Sequence, residues 1–375
     1  MHSEKHDITS VLSMNILMAG ETCPPHIGGV ETVVENVSAT LAALGHKVHI
    51  ICCHKGVEEN RQQYTSNGIL YIRCPVGLYG IPRNNDKLKN YLTRILKDVD
   101  VLHLHNVHNP FIYFIWKVWQ NLYKNQRPRL VITPHYHGTG HTLLAKVLWI
   151  SWRRVVRAML RSADCVHAVS EYEKSLLERD FEVNPVIIEH GVREDVLQCK
   201  WSPEDYFIYS GRIERYKRLD YVIRLVGKLR VHGLKLRLLI IGRGTYLSKI
   251  LSLSKKLSIH LEYLDFLPRC EYLERLSKAV AFINLSEHEA YSLTTLEAVS
   301  IGVPAIVAEP WGRHFANKGQ VLILNFKKDL RYNVKVTSAF LKEVLSSQKQ
   351  YGVKRLWRPR LWRDVVYDYL IKLYN

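Results

Sequence analysis

Two glutamates, Glu289 and Glu297, flank the start of a predicted helix and could bind the hydroxyl groups of a sugar or a ribose. The backbone N–H groups of Ser292, Leu293 and Thr294 would be free at the positive end of that helix, which favours a phosphate there. If the helix begins near Leu293, Glu297 lies roughly 6 Å further along its axis, which is the reach of a sugar ring. This stretch therefore predicts phosphate donors between two hydroxyl acceptors, the combination that a nucleotide sugar needs.

The elements that hold these residues are predicted from the surrounding sequence. The stretch AVAFINLS, rich in β-branched and aromatic residues, predicts a strand, and PAIVAE predicts a second one. Between them a helix would start at a Ser292 or Thr294 cap and end at Gly302, with Pro304 beyond it. This βαβ unit places the acidic loop at the carboxyl edge of a parallel sheet, where open α/β folds bind ligands. An ordinary helix with a solvated acidic start would explain the two glutamates alone.

The same stretch resembles the signature of the retaining glycosyltransferases of family GT4, which have the GT-B fold. The resemblance lies in the spacing Ser286-x-x-Glu289, seven residues, Glu297-Ala298 and then Gly302-x-Pro304. It continues through several ordered elements over roughly residues 14–375, and a length of 375 residues suits two domains.

The resemblance implies an α/β protein of the GT-B fold, with two Rossmann-like, doubly wound parallel-sheet domains that face a cleft. Residues 1–195 would form the acceptor-side domain, and residues 196–358 the domain that binds the nucleotide sugar. The polar stretch 193–205 would be the linker between them. The segment 359–375 resembles the family's last helix, which crosses back to the first domain.

A glycine pair after the first predicted strand carries a second part of the resemblance. The string Pro25-x-x-Gly28-Gly29-x-Glu31 is similar to a GT4 element. Gly28 and Gly29 would let the backbone approach a diphosphate, because no Cβ stands in the way. A plain flexible turn is the alternative, and dinucleotide binding is disfavoured because the glycines do not follow GxGxxG.

Two cations, Arg212 and Lys217, follow a predicted strand that ends near Gly211. In the family that the sequence resembles, such a pair holds the β-phosphate of the donor, and Gly211 belongs to the same donor-binding turn. Breaking the sugar–phosphate bond leaves extra negative charge on the diphosphate, and fixed cations stabilise that charge. The pair can replace a metal ion, and no DxD-type motif lies near a predicted strand end, so we expect neither a metal nor a cofactor. A solvated basic loop is the alternative.

The resemblance also implies roles for the acids and for one histidine. Glu289 would bind sugar hydroxyls near the reaction centre, and Glu297 would bind the ribose. The glycine pair and the helix N-terminus would donate N–H groups to the diphosphate. His135, which follows the strand RLVIT, matches the family histidine that faces the transferred sugar, with His137 and His141 as rivals.

Three further histidines, His103, His105 and His108, lie on and after another predicted strand. Because side chains alternate along a strand, His103 and His105 share one face. A metal site there lacks a nearby Asp, Glu or Cys to complete it, so pocket-lining or structural histidines are the preferred interpretation.

The charge balance predicts a polyanionic partner. Lys and Arg outnumber Asp and Glu by 53 to 35, which gives a formal net charge of +18. Basic residues stand near tryptophans in 111–120, in an amphipathic helix over 141–160 and in 354–363, which favours an anionic membrane surface. No nucleic-acid-binding module accompanies the charge, so no specific nucleic acid is expected.

The sequence also bears on the compartment. No apolar stretch is long enough for a transmembrane helix, and the first residues do not resemble a signal peptide. We therefore expect a cytoplasmic protein that attaches at most peripherally to the inner face of a membrane. Seven cysteines without a C-x-x-C pair predict buried free thiols.

These features lead to one hypothesis and several alternatives. The hypothesis is a retaining glycosyltransferase of the hexosyltransferase type that moves a sugar from a nucleoside-diphosphate sugar to a glycan or lipid-linked acceptor hydroxyl without a metal. A front-side mechanism, in which the leaving phosphate takes up the acceptor proton, fits the lack of an evident carboxylate nucleophile. The alternatives are a nucleotide-sugar epimerase of GT-B shape, a non-catalytic nucleotide-binding relative and a basic nucleic-acid-binding protein. The sequence does not determine the base, the sugar, the acceptor or the oligomeric state.

Overall fold

The computed structural model describes residues 13–22, 28–54, 62–77, 81–82, 85–138, 143–351 and 357–375. The chain forms two successive parallel-sheet α/β units, as the sequence predicts. Each sheet has an apolar core with helices on both of its faces, which is the doubly wound arrangement. In these ranges no helix is both long and apolar enough to span a bilayer.

The first sheet has eight strands. In chain order they are β1 Asn15–Thr22, β2 Lys47–His54, β3 Gln62–Ser66, β4 Ile69–Pro75, β5 Val101–His105, β6 Arg129–Thr133, β7 Cys165–Ala168 and β8 Val186–Ile187. Their spatial order is β3-β4-β2-β1-β5-β6-β7-β8, and among these described strands only the β3–β4 pair is antiparallel. The central strands are almost continuously buried, as parallel strands covered on both faces must be.

Helices join these strands: α1 Gly29–Ala43, α2 Asn85–Ile95, α3 Pro110–Gln120, α4 Leu143–Ser162 and α5 Glu171–Phe181. Apart from a strand in YIRCPV, the sequence of residues 54–97 suggests irregular, basic structure, and α2 shows that this expectation is wrong for residues 85–95. Leu88 and Leu92 stand four residues apart among charged residues and both enter the first core, so the helical period was hidden by a polar composition. The expectation of free thiols is wrong for Cys52, which is disulfide-bonded.

The second sheet has six strands, all parallel. They are β9 Tyr206–Ser210, β10 Arg237–Ile241, β11 Leu261–Leu264, β12 Ala281–Asn284, β13 Ala305–Ala308 and β14 Val321–Leu324, in the order β11-β10-β9-β12-β13-β14. The remaining helices are α6 Glu194–Gln198, α7 Leu219–Leu229, α8 Leu247–Lys256, α9 Arg269–Ser277, α10 Leu293–Ile301, α11 Leu330–Tyr351 and α12 Trp362–Lys372. The short helix α6 lies in the stretch that was expected to be an irregular linker.

The βαβ unit predicted around the two glutamates is present as β12, α10 and β13. Ser292 caps α10, because its Oγ accepts a hydrogen bond from the Thr295 N–H at 3.3 Å. Gly302 follows the last turn with φ +98°, a conformation that favours glycine. Both helix ends were therefore predicted from the sequence, and the ambiguity between the two candidate caps is resolved in favour of Ser292.

The last helix, α12, returns to the first unit. It packs against α1, where Val365, Val366 and Tyr369 share a core with Val33 and Val37. The chain passes from the second sheet back to the first at residues 360–362, where the Val192 N–H donates to the carbonyl of Arg360 at 2.9 Å.

The tryptophans of α3 and α4 face the first core. Trp116, Trp119 and Trp149 are buried there and Trp152 packs against it half-buried, which corrects the expectation of a membrane contact made by these tryptophans beside basic residues. On α4, Arg153 instead pairs with Asp180 of α5 at 3.4 Å. Of the segment 354–363 that carried the same expectation, residues 354–356 lie outside the described part of the chain.

Candidate active site

The loop between β12 and α10 carries Glu289, whose carboxylate forms an ion pair with Nζ of Lys217. The two side chains are largely buried, with exposures of 14% and 11%. Lys217 ends a 3-10 helix that follows β9, so the fold brings together two predicted site residues that are distant in the sequence. Asn284, the last residue of β12, also fixes the carboxylate by donating from Nδ2 at 3.3 Å.

Two further bonds hold the loops of Lys217 and Glu289 in register. The Glu287 N–H donates to the carbonyl of Tyr216 at 2.9 Å, and Arg218 Nη1 pairs with the Glu287 carboxylate at 2.6 Å. Because Lys217 lies between Tyr216 and Arg218, its backbone is anchored on both sides. The ion pair is therefore pre-organised before any ligand binds.

Arg212 follows β9 at the same sheet edge, and Gly211 before it has φ +151°, which favours glycine. Desolvation disfavours the charged guanidinium. The pKa of Arg212 is nevertheless held above its usual value, because its charge interacts favourably with Tyr216 and with the carboxylates of Glu289 and Glu21. Since Glu21 belongs to β1 of the first unit, the charge of Arg212 interacts with both sides of the cleft.

The N-terminus of α10 adjoins the ion pair. Leu293 and Thr294 occupy the first helical positions, so their N–H groups have no partner within the helix. The cap residue Ser292 accepts a bond from Asn284 Nδ2 at 3.1 Å, and the same amide contacts Glu289. One strand-end asparagine therefore sets the helix N-terminus, an anion-binding feature, beside the acid.

Glu297, inside α10, is engaged by its own neighbours. Arg269 Nη1 donates to one carboxylate oxygen at 2.5 Å, and the Tyr272 hydroxyl donates to the other at 3.0 Å. Arg269 also pairs with Asp195 at 3.0 Å. Burial raises the pKa of Glu297, although the charge of Arg269 opposes that rise. The carboxylate is thus held in one orientation, with unused lone pairs left on both oxygens.

His135 follows β6 on the first-unit side and has φ +51°. Its Nε2 lies 3.2 Å from Nδ1 of His105. Burial, with a contribution from His167, lowers the pKa of His135 to about 3. The ring is therefore neutral at pH 7 and can accept a hydrogen bond from a hydroxyl group.

His137, a rival candidate in the sequence, lies beside two other histidines. Its ring centre lies 4.9 Å from that of His108 and 6.2 Å from that of His288. Its pKa is lowered well below the usual value, mainly by burial and then by neighbours that include Lys217 and Arg212. The charges of Lys217 and Arg212 therefore act on His137, whereas the other rival, His141, lies outside the described residues.

His103 belongs to a buried hydrogen-bond chain. Its two ring nitrogens lie 2.8 Å from the Tyr374 hydroxyl and 2.7 Å from Oγ1 of Thr133. The Thr133 hydroxyl in turn lies 2.8 Å from Nδ1 of His167. His105 stacks beside His103 with ring centres 4.2 Å apart. Among the described residues, no group of three or more potential metal ligands is arranged to hold an ion.

The glycine pair lies at the start of α1. Gly28 precedes the helix and Gly29 begins it. A Cβ at Gly28 would lie 2.2 Å from Oε2 of Glu31, whose other carboxylate oxygen accepts a bond from the Thr22 hydroxyl. A side chain at position 28 would therefore displace Glu31. Residues 25–27 of the same predicted element lie outside the part of the chain that the structure describes.

Sequence reasoning assigned no side-chain role to Asn284, Glu287 or Arg269, although each holds a site residue in place. Asn284 offered a signal, because it is a polar residue that closes a buried strand at the ligand-binding edge of the sheet. Glu287 and Arg269 act through partners that only the folded chain brings near.

Two family models match successive parts of the chain. The model described as Glycosyltransferase Family 4 matches residues 27–196, and the model described as Glycosyl transferases group 1 matches residues 200–331. The first match covers most of the first sheet with its helices, and the second covers the whole second sheet.

Three known proteins resemble the chain over most of its length. N-acetyl-alpha-D-glucosaminyl L-malate synthase of Bacillus anthracis is 26% identical over 308 residues, which are 77% of this chain and 78% of that protein. GDP-mannose:cellobiosyl-diphosphopolyprenol alpha-mannosyltransferase of Xanthomonas oryzae pv. oryzae is 26% identical over 321 residues, 81% of each chain. The solved sucrose-phosphate synthase of Thermosynechococcus elongatus has a TM-score of 0.74 at 16% identity, covering 96% of this chain and 98% of that one, and shows the same fold.

Proposed function

This chain belongs to the family 4 and group 1 glycosyltransferases and has their GT-B fold, and from that premise we propose that it is a retaining, metal-independent hexosyltransferase. Members of this group use nucleotide sugars, so a sugar attached to a nucleoside diphosphate is the donor. The convergence of Lys217, Glu289 and Arg212 on the N-terminus of α10 carries the proposal. This arrangement supplies cations, N–H donors and a carboxylate at one place, as a sugar diphosphate requires.

The ion pair between Lys217 and Glu289 has a chemical consequence for the donor. Without a diphosphate, each charge is satisfied by the other. When the donor binds, its phosphate oxygens attract Nζ of Lys217 and leave Glu289 to accept hydroxyl groups of the sugar. Arg212 and Lys217 then stabilise the negative charge that develops on the diphosphate as the bond to the sugar breaks.

In the front-side mechanism, the acceptor oxygen attacks the anomeric carbon from the side that the diphosphate leaves. The bond between that carbon and the phosphate oxygen breaks, and the acceptor proton passes to the leaving phosphate. The configuration at the anomeric carbon is therefore retained. This route is proposed because the leaving phosphate can itself take up the proton, while Glu289 is assigned to the sugar hydroxyls and not to attack on the anomeric carbon.

The remaining predicted contacts are proposed on the same basis. Glu297 accepts the ribose hydroxyls, in an orientation fixed by Arg269 and Tyr272. The backbone of Gly28 and Gly29, with that of Leu293 and Thr294, donates to the diphosphate, and neutral His135 or His137 faces the sugar. We propose no role for a metal or a cofactor, because two cations already lie where the diphosphate charge develops.

The acceptor is proposed to be a hydroxyl of a glycan or of a lipid-linked sugar. Of the two relatives, one is named as a mannosyltransferase acting on a diphosphopolyprenol-linked disaccharide, and the other as joining an N-acetylglucosaminyl group to malate. UDP-N-acetylglucosamine and GDP-mannose are therefore the first donors to test, by thermal shift, because a ligand that binds the folded state stabilises it.

The decisive variants are Lys217→Met and Glu289→Gln, each assayed for sugar transfer and for donor hydrolysis. Removing one partner of a buried ion pair leaves the other charge uncompensated and destabilises the fold by about 3–5 kcal/mol. The double variant Lys217→Met/Glu289→Gln removes both charges together and so separates loss of fold from loss of chemistry.

We expect the double variant to fold and to lose transfer by at least a factor of about 100, the size of effect seen when one transition-state donor is removed. Lys278→Met is the matched control, because it breaks an exposed ion pair with Glu274 away from the cleft. Full turnover by the double variant would contradict the proposed site. Donor consumption without any acceptor would instead favour the epimerase alternative.

We further propose that the protein attaches to anionic membranes from the cytoplasmic side, through the outer helices of the second unit. Helices α7, α8 and α11 pack beside one another and point their apolar side chains into one core, so their other sides share one solvent-facing surface. Exposed basic residues on or beside these helices are Arg224, Lys228, Lys249, Lys255, Lys256, Lys327, Lys328, Arg331, Lys335 and Lys342. This surface, rather than the tryptophans, accounts for much of the positive charge.

Sedimentation with vesicles of phosphatidylcholine and phosphatidylglycerol tests the membrane proposal. The quadruple variant with Lys255, Lys256, Lys327 and Lys328 changed to Glu should lose binding, and added salt should weaken binding of the natural protein. Arg154→Glu on α4 is the control, since Arg154 is exposed on the first unit. Binding that survives the quadruple change, or that fails only with Arg154→Glu, would contradict this location.

A further inference from the structure

The start of helix α5 joins the two halves of the cleft. The Ser170 hydroxyl donates to the carbonyl of Ala290 at 2.8 Å, and Ala290 directly follows Glu289 in the loop of the second unit. The same oxygen accepts a bond from the Glu173 N–H at 3.1 Å, which caps α5. Ser170 is 1% exposed, so water does not compete for either bond.

Glu173 extends this connection within the first unit. Its two carboxylate oxygens accept hydrogen bonds from the N–H of Tyr136 at 2.6 Å and from the N–H of Val169 at 2.8 Å. Tyr136 lies between His135 and His137, the two candidates that face the sugar. The carboxylate therefore fixes the backbone of the histidine loop against the start of α5, and it is completely buried.

A helix cap alone does not require this arrangement. In an ordinary capping box, the glutamate three residues after the cap bonds to the N–H of the cap residue itself. Here Glu173 bonds to Val169, one residue earlier, and to Tyr136, which follows a different strand. A carboxylate is costly to bury, so its full burial with bonds to two separate loops indicates a function beyond ending the helix.

We propose that Ser170 and Glu173 are positioning residues that set the histidine loop of the first unit against the Glu289 loop of the second. The path runs from His135 and His137 through the Tyr136 N–H to Glu173, then to Ser170, and then through the Ala290 carbonyl to Glu289. This inference rests on the proposed function, because it assigns a purpose to holding these particular loops together. Neither residue touches the reacting groups.

The test uses substitutions of Ser170 that separate the cap from the contact between units. Ser170→Gly removes the hydroxyl that reaches Ala290, while glycine remains an acceptable cap residue. Ser170→Thr keeps the hydroxyl and should restore the natural behaviour. Ser175→Ala is the matched control, because its hydroxyl is exposed and bonds only within α5.

The first readout is hydrogen–deuterium exchange, which needs no substrate. In Ser170→Gly we expect faster exchange in the segment 287–291, and Ser170→Thr should exchange as the natural protein does. Glu173→Gln should speed exchange at Tyr136 or at Val169, because the amide keeps one oxygen and its NH2 group cannot accept the second N–H. Unchanged exchange of segment 287–291 in Ser170→Gly would overturn the proposal, and this result does not depend on which substrate the enzyme uses.

The second readout is transfer from UDP-N-acetylglucosamine or GDP-mannose, whichever the protein uses. Ser170→Gly should lower kcat about fivefold to tenfold, the value of one buried hydrogen bond, and change KM for the donor much less. The phosphate contacts of Lys217 and Arg212 stay intact, and only the sugar contacts of Glu289 and the histidine loop shift, which is why the two constants should separate. A rise in KM with unchanged kcat would contradict a positioning role. If the Lys217→Met/Glu289→Gln variant loses turnover and Ser170→Gly does not, the proposed function stands and this inference is rejected.

Discussion

Lowering the pH from 7.5 to 5.0 should destabilise this protein, because several histidines are buried in their neutral form. Burial lowers the pKa of His135 to about 3, of His167 to about 4 and of His314 to about 3, against a usual value of 6.5. The unfolded chain therefore binds more protons than the folded chain below pH 6.5. By linkage, folding stability must fall as the pH falls through this range.

The magnitude follows from the pKa differences. At pH 5.0 each of the three histidines lowers the free energy of unfolding by about 2 kcal/mol, or about 6 kcal/mol together. The share of His135 is an upper bound, because that residue is partly exposed to the cleft. Burial also lowers the pKa values of His103, His105 and His190, which adds to the loss.

Buried acids oppose this trend, because burial raises the pKa values of Glu173, Glu297 and Glu21. Burial raises the pKa of Glu173 to about 7, so its folded form takes up a proton at a higher pH than the unfolded chain does. Between pH 7.5 and 5.0 this group restores about 2 kcal/mol. The net loss for His135, His167, His314 and Glu173 together is about 4 kcal/mol, a large part of the total stability of about 5–15 kcal/mol that folded proteins have.

Urea unfolding at both pH values, followed by circular dichroism, measures this loss. His167→Gln is the informative variant, because His167 is fully buried and lies outside the cleft contacts. It should be less stable at pH 7.5, yet lose only about 2 kcal/mol on acidification. Equal stability of the natural protein at the two pH values would refute the reasoning, as would an unchanged pH dependence in His167→Gln.

Two further expectations concern the turns that build the site. Ser292→Ala should lower the free energy of unfolding by about 1 kcal/mol, because α10 loses its side-chain cap, and urea unfolding measures this directly. Gly242→Ala should prevent normal folding, since its Cβ would lie 2.0 Å from the carbonyl oxygen of Gly211. The control is Gly45→Ala, whose Cβ would meet no atom within 4 Å. This control should lower the free energy of unfolding by only about 1 kcal/mol, because the alanine would adopt a positive φ. Similar stabilities for the two alanine variants would contradict the argument from close approach.

The sequence predicted the βαβ unit around the glutamates nearly to the residue. A buried strand, a serine cap and a terminal glycine are local signals, and each acts over a few residues. The strand RLVIT and the strand YFIYS were found in the same way, because buried parallel strands are short apolar runs. Helix α2 was not predicted, because its few apolar residues stand among charged ones and only the folded structure shows that they pack into the core.

The site residues divide along the same line. The sequence showed which charged and polar residues stand at strand ends, and it identified Glu289, Arg212 and Lys217 as site candidates. Their mutual arrangement was not, because the ion pair joins residues 72 positions apart. The partners of Glu297 and the contact between Ser170 and Ala290 were also hidden, because a hydrogen bond between distant segments leaves no period or spacing in the sequence.

By itself, the sequence determined which short elements form and which chemical groups stand at their ends, since propensity, capping and apolar period act between neighbours. Only the tertiary structure decided that Trp116, Trp119 and Trp149 lie in the core, that the buried histidines are neutral, and that Glu173 and Ser170 connect the two loops. Burial and charge neutralisation depend on what packs against a residue from elsewhere in the chain. These properties therefore arise when the two sheets and their connecting helices come together.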